Sequence, residues 1–129
     1  TLLSLNNWIV ARQHAGALDT SVALAHLYNL TSRHVGSRHP LTLTVLHNWA
    51  SAFRIERNHG PAIEKFAQCA AERRDVLGPN HRDTLMSSLG LGTAYWAAGN
   101  SEQAVRILRD VARLLEDQFG PTHPDTLTA

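Results

Sequence analysis

Lysine is nearly absent from this 129-residue sequence: Lys65 stands alone among twelve basic residues. With alanine and leucine abundant, that bias fits a GC-rich genome and points to an actinobacterial source. Cysteine is just as scarce. Cys69 has no partner within the chain, which excludes an internal disulfide and favours a reducing, cytoplasmic setting. Long apolar runs are missing too; none approaches the ~18–20 residues of a membrane span. The opening TLLSLNNWIV has neither a basic flank nor a small-residue cleavage site, so it does not read as a signal peptide. The chain also lacks an initiator methionine and starts inside a patterned stretch, which reads as a segment of something longer. Charge of one sign is not in excess: the formal net charge is +1. That balance offers no bulk attraction to nucleic acid or to an anionic membrane. What remains, 43% apolar and 18% charged residues, is ordinary composition for one globular domain.

Repetition is what the sequence does contain. Three segments align, GSRHPLTL from Gly36, GPNHRDTL from Gly78 and GPTHPDTL from Gly120, with a spacing of 42 residues. His39, His81 and His123 recur in register, as do Thr42, Thr84 and Thr126, and Leu43, Leu85 and Leu127. In the first unit the spacing is 41, where Thr1-Leu2 and Asn7-Trp8 match Thr42-Leu43 and Asn48-Trp49. Such a period is the mark of a repeat architecture. The glycines sit where a helix stops, and His-Pro then restarts the chain with proline in a first helical turn. Apolar residues from Leu41 to about Asn58 recur in steps of three and four (Leu43, Leu46, Trp49, Ala50, Phe53), which predicts a helix. A break at Asn58-His59-Gly60-Pro61, or Gly99-Asn100-Ser101, precedes a second helix in each unit. Nothing alternates as a strand would. The expectation is an all-α solenoid of antiparallel helix pairs in one domain, 1–129, with units near 1–38, 39–80 and 81–122 and a truncated further helix starting at 123–129.

Leu91-Gly92-x-x-Tyr95, followed by Ala104 and Leu108, resembles the tetratricopeptide repeat pattern. The longer unit and its Gly, His-Pro and Thr-Leu punctuation are similar to the kinesin-light-chain-type subclass. The chain departs from the general pattern at its opening tryptophan, where Leu5, Leu46 and Ser88 stand. It departs again at the closing proline, where Arg33, Arg74 and Glu116 stand. The resemblance implies about three repeats in a right-handed superhelix. Gly92 and Ala50 would mark close helix approaches, with Ala62 and Ala104 as the small residues facing them.

Chemistry is hard to assemble from the remaining residues. Of eight histidines, His39, His81 and His123 belong to the inter-unit turns, and the rest show no H-E-x-x-H and no cysteine pair at zinc spacing. No metal or cofactor is expected. Cys69 occupies the place of Val111 on an apolar helix face, so a small buried side chain is expected there. Arg106, Arg109 and Arg113 form a stripe interrupted by Asp110, Glu116 and Asp117, which reads as a solvated face. No nucleophile, base and oxyanion set appears, so no enzyme is expected.

The functional surface is then the concave one that stacked helix pairs create. The resemblance implies that first helices line it. In register this gives Asn6, Val10 and Gln13 from the first unit, His47, Ser51 and Arg54 from the second, and Leu89, Thr93 and Trp96 from the third. Asparagine at the Asn6 position resembles the family's amide grip on a peptide backbone, but His47 and Leu89 break that ladder. Arg54 offers a guanidinium to a carboxylate and Trp96 an aromatic anchor. The expected partner is a peptide or protein, not nucleic acid or membrane, with self-association through exposed end repeats as a further expectation. The alternative is a structural or sensor arm of a larger signalling or transcriptional regulator of the nucleotide-switch ATPase type, packed on its own chain.

Overall fold

A computed structural model describes residues 1–14 and 20–119. The third copy of the punctuation (Gly120, His123, Thr126, Leu127) and the side chain of Gln13 lie outside the described residues. Among the described residues six helices follow in order: α1 Leu2–His14, α2 Thr20–Val35, α3 Pro40–Ile55, α4 His59–Leu77, α5 Arg82–Ala97 and α6 Ser101–Phe119. No strand occurs among the described residues, and the chain is an all-α solenoid.

The repeated residues build one joint, used twice. Gly36 and Gly78 have φ of +99° and +100°, a backbone region that a Cβ disfavours. The Gly36 carbonyl accepts the Thr42 hydroxyl at 2.6 Å, and the Gly78 carbonyl accepts the Thr84 hydroxyl at 2.9 Å. His39 caps α3 by accepting the Leu41 N–H on Nδ1 at 3.1 Å, and His81 caps α5 by accepting the Asp83 N–H at 3.0 Å. Each imidazole therefore takes the place of the usual Ser, Thr or Asp cap and satisfies one orphan donor of the first turn. Leu43 and Leu85, the last of the repeated set, are buried. His39 and His81 are thus helix caps.

The break inside each unit is sharper than the sequence suggests. α3 ends at Ile55 because Glu56 caps it and Arg57 turns left-handed, with φ of 63°. Gly99 holds the equivalent place in the third unit with φ of +85°. Between the helices of a pair the small residues do what the pattern implies: Ala50, Ala62 and Ala104 have no exposed surface. A Cβ on Gly92 would sit 2.9 Å from Leu108 Cδ2, so α5 and α6 meet at that glycine. Cys69 is fully buried, like Val111 in register with it.

Two core clusters bind unit to unit. Ile9, Leu24, Leu27, Val45 and Ala52 join the first unit to α3. Ala50, Ala62, Phe66 and Ala94 join the second unit to α5. Successive first helices touch, α1 with α3 and α3 with α5, whereas α2 and α4, and α4 and α6, have no Cα pair within 8 Å. The stack therefore curves with first helices on the inner side.

Candidate functional site

The inner face is built by α1, α3 and α5, and helical geometry decides which of their residues it shows. At 100° per residue, the side of α3 away from the core runs through Thr44, Asn48, Ser51 and Ile55. His47 and Arg54 flank it on the side of α5. The nine sequence-predicted residues fall accordingly into three rows, one residue per first helix.

In the row of Asn6, His47 and Leu89, the first two are drawn into the contacts between units. Asn6 is 2% exposed, and its Oδ1 accepts from Asn48 Nδ2 at 3.2 Å, tying α1 to α3. His47 is half-buried: its Nδ1 lies 3.3 Å from Ser87 Oγ of α5, and its ring meets Phe66 edge-on at 5.3 Å. Burial first, then the Arg73 and Arg54 guanidiniums, hold its pKa down to about 4, with Asp83 opposing. Leu89, 41% exposed, opens instead onto a cleft between α5 and α6 with Leu85, Met86, Val111 and Leu115.

The described side chains of the other two rows lie nearer the surface. Val10 and Ser51 are half-buried, and Thr93 is exposed with its hydroxyl returned to the Leu89 carbonyl at 2.8 Å. Arg54 is half-buried and its Nε has no hydrogen-bond partner, while Trp96 is 60% exposed. Residues that the register did not single out share this face. Leu3 is large, exposed and in register with Thr44, and Ile55 is 43% exposed beside Arg54. Their signal was in the same helical arithmetic, since Thr44 and Ile55 lie two turns and one turn from Ser51 on one stripe. The inner helices carry Arg12, Arg54 and Arg82 against a single carboxylate, Asp83.

Away from this face, the groups with reactive chemistry are committed to packing. Burial raises the Cys69 thiol pKa, so the sulfur stays protonated at neutral pH. Among the described residues no three His, Cys, Asp or Glu side chains gather to hold a metal ion. None of the described helices is long and apolar enough to cross a membrane.

Comparison with known proteins agrees with this geometry. The sequence profile described as tetratricopeptide repeat matches residues 41–117. A clustered mitochondria protein homolog of Aspergillus oryzae is 26% identical over 93 residues, covering 72% of this chain and 7% of that protein. Its counterpart in Coccidioides immitis is 25% identical over 93 residues, with the same coverage. The chain thus spans a small part of the curated relatives it matches. Among solved structures, a Podosopora anserina protein of kinesin light chain type, with nearly identical TPR-like repeats, superposes with a TM-score of 0.85. It is 25% identical, and the match covers 98% of this chain and 60% of that one. These relatives are fungal, and they lend no support to the actinobacterial source read from composition.

Proposed function

The chain belongs to the tetratricopeptide repeat family, and on that premise we propose that it is a non-catalytic module that holds a peptide or protein along its first-helix face. The observation that carries this reading is the contrast within the inner helices. Asn6 and His47 are spent on inter-unit contacts, whereas Val10, Ser51, Thr93, Arg54 and Trp96 are left at or near the surface. Arg54 supplies a half-buried guanidinium for a carboxylate, and Trp96 supplies a large aromatic surface of the kind that dominates interface energies. Gln13 completes the row by register. Cytoplasmic location fits the lone buried thiol.

The test is a capture experiment from lysate with wild-type protein and an Arg54→Ala, Trp96→Ala pair. Loss of specific partners from the double variant supports the assignment, and equal recovery of every partner removes it.

A second reading has its own observation. The two outer faces of the described stack are apolar: Trp8, Leu5 and Leu30 line a cleft between α1 and α2, and Met86, Leu89 and Leu115 line one between α5 and α6. Such faces suit self-association, or an arm of a larger signalling or transcriptional regulator of the nucleotide-switch ATPase type that packs on its own chain. Sedimentation over a wide concentration range tests the first option, since a strict monomer contradicts self-association.

A further inference from the structure

The most unusual chemistry in the molecule lies where α3 and α4 receive α5. Ser87 of α5 is completely buried, and its Oγ accepts from Arg73 Nη1 of α4 at 2.9 Å. The same oxygen lies 3.3 Å from His47 Nδ1 of α3 and 3.3 Å from Cys69 Sγ of α4. Arg73, only 6% exposed, also donates to the Asp83 carbonyl at 3.1 Å, and the Cys69 thiol donates to the Leu43 carbonyl at 3.4 Å. With the imidazole neutral and its proton on Nδ1, His47 and Arg73 both donate to Ser87, Ser87 donates to Cys69, and Cys69 donates to the Leu43 carbonyl. All members are then satisfied around one buried positive charge, as a polar network of this kind requires.

The other units do not share this network. In register with His47, Cys69 and Arg73 stand Asn6, Tyr28 and Ser32 in the first unit and Leu89, Val111 and Leu115 in the third. A titratable ring is therefore built into one joint of the solenoid. A second proton on that ring places two cations on one hydroxyl. Arg54 of α3 adds a third positive group, and Asp83 of α5 is the carboxylate that opposes them. Glu72 of the same α4 acts on neighbouring Cys69.

We propose that the joint between α3–α4 and α5 is an acid-sensitive hinge, in which protonation of His47 beside Arg73 separates α5 and α6 from the stack while the units stay helical. The direction follows from linkage. The ring titrates near 4 when the joint is closed and regains its ordinary 6.5 when it opens to water. The open form therefore binds more protons, and acid favours it. Above pH 6.5 the closed joint is unaffected. Between 6.5 and 4 the open population grows, by roughly seventyfold at pH 4.5 relative to pH 7.5. Opening also parts Trp96 of α5 from Arg54 of α3. The hinge itself does not depend on the binding reading.

Cys69, the lone thiol, sits in the joint and reports its opening. The rate of its reaction with 4,4′-dithiodipyridine is measured from pH 7.5 to 4.5 in the whole chain, beside His47→Asn and His47→Leu, which carry the residues of the first and third units. The ratio of wild-type to variant rate cancels the reagent's own pH dependence, and it is expected to rise about seventyfold with far-UV helicity unchanged. A constant ratio overturns the hinge, as does helicity lost in step with thiol reactivity. Hydrogen exchange on wild type gives the same answer should the variants misfold. After correction for intrinsic rates, α5 and α6 lose protection on acidification before α1 and α2; uniform loss overturns the proposal.

Discussion

Gly90→Ala puts the packing between units to a demanding test. Gly90 lies inside α5, where alanine is intrinsically favoured over glycine by about 1 kcal/mol. Space argues the other way. A Cβ at Gly90 would stand 2.4 Å from Phe66 Cε1, 2.7 Å from Cδ1 and 2.8 Å from Cζ. The Phe66 ring is 1% exposed and rests against the His47 imidazole, so it has no free direction in which to retreat. Overpacking of a filled core costs roughly 1–3 kcal/mol, and a contact this short against a wedged ring belongs at the upper end. The net effect is a loss of about 2 kcal/mol, worked from those two opposing contributions. Two companion substitutions calibrate the reasoning. Gly92→Ala meets Leu108 at 2.9 Å through the far end of a flexible side chain and is expected to be near neutral. Gly60→Ala meets nothing within 4 Å and is expected to stabilise by about 0.5 kcal/mol. Urea unfolding followed by circular dichroism ranks the three. A Gly90→Ala protein as stable as wild type would refute the claim that Phe66 fills a hole shaped by the missing Cβ.

Three further outcomes follow from other joints. Glu56 reaches across to α2, where its carboxylate accepts the Ser21 hydroxyl at 2.8 Å and the Ser21 N–H at 3.2 Å. Glu56→Ala should cost about 1–2 kcal/mol through loss of these charge-assisted bonds at a helix start, read as a lower Tm. Arg57→Gly should stabilise by about 0.5–1 kcal/mol, since Arg57 holds a left-handed backbone that glycine adopts freely at Gly99; an unchanged or lower urea midpoint would count against this. For His47 the folded value of about 4 lies below the ordinary 6.5, so its contribution is whole above pH 6.5 and declines as pH falls towards 4. The loss is on the order of 3 kcal/mol, seen as the difference between wild-type and His47→Asn stability curves against pH.

The architecture could be read from the sequence because its punctuation is local. Gly36, His39 and Thr42 interact within seven residues of chain, so their recurrence in register states the joint directly. Cys69 could be placed in the core for a similar reason, since Val111 in the next unit reveals the character of its position. Contacts between units were less legible. Asn6 and His47 occupy equivalent positions, yet one is held by Asn48 and the other by Ser87, and neither partner is implied by the repeat. Arg73 offered no signal at all, because a charged residue on a helix reads as exposed until Asp83 and Ser87 close over it. Gly90 has no glycine in register with it, and only the approach of Phe66 from α4 gives it a purpose. The inner stripe lay in between. Its direction follows from helical geometry, but which residues remain open depends on how tightly the neighbouring unit settles.

The central claim is that a partner lies along the first helices, and backbone amide shift mapping tests it most directly. A peptide selected from a random library for binding to the whole protein is titrated into the isotope-labelled chain. The account predicts that the largest shifts fall on Ser51, Arg54, Thr93 and Trp96, and that Arg54→Ala with Trp96→Ala weakens binding at least about tenfold, as loss of an anchor pair should. Shifts confined to α4 and α6, with affinity unchanged in the double variant, would contradict it.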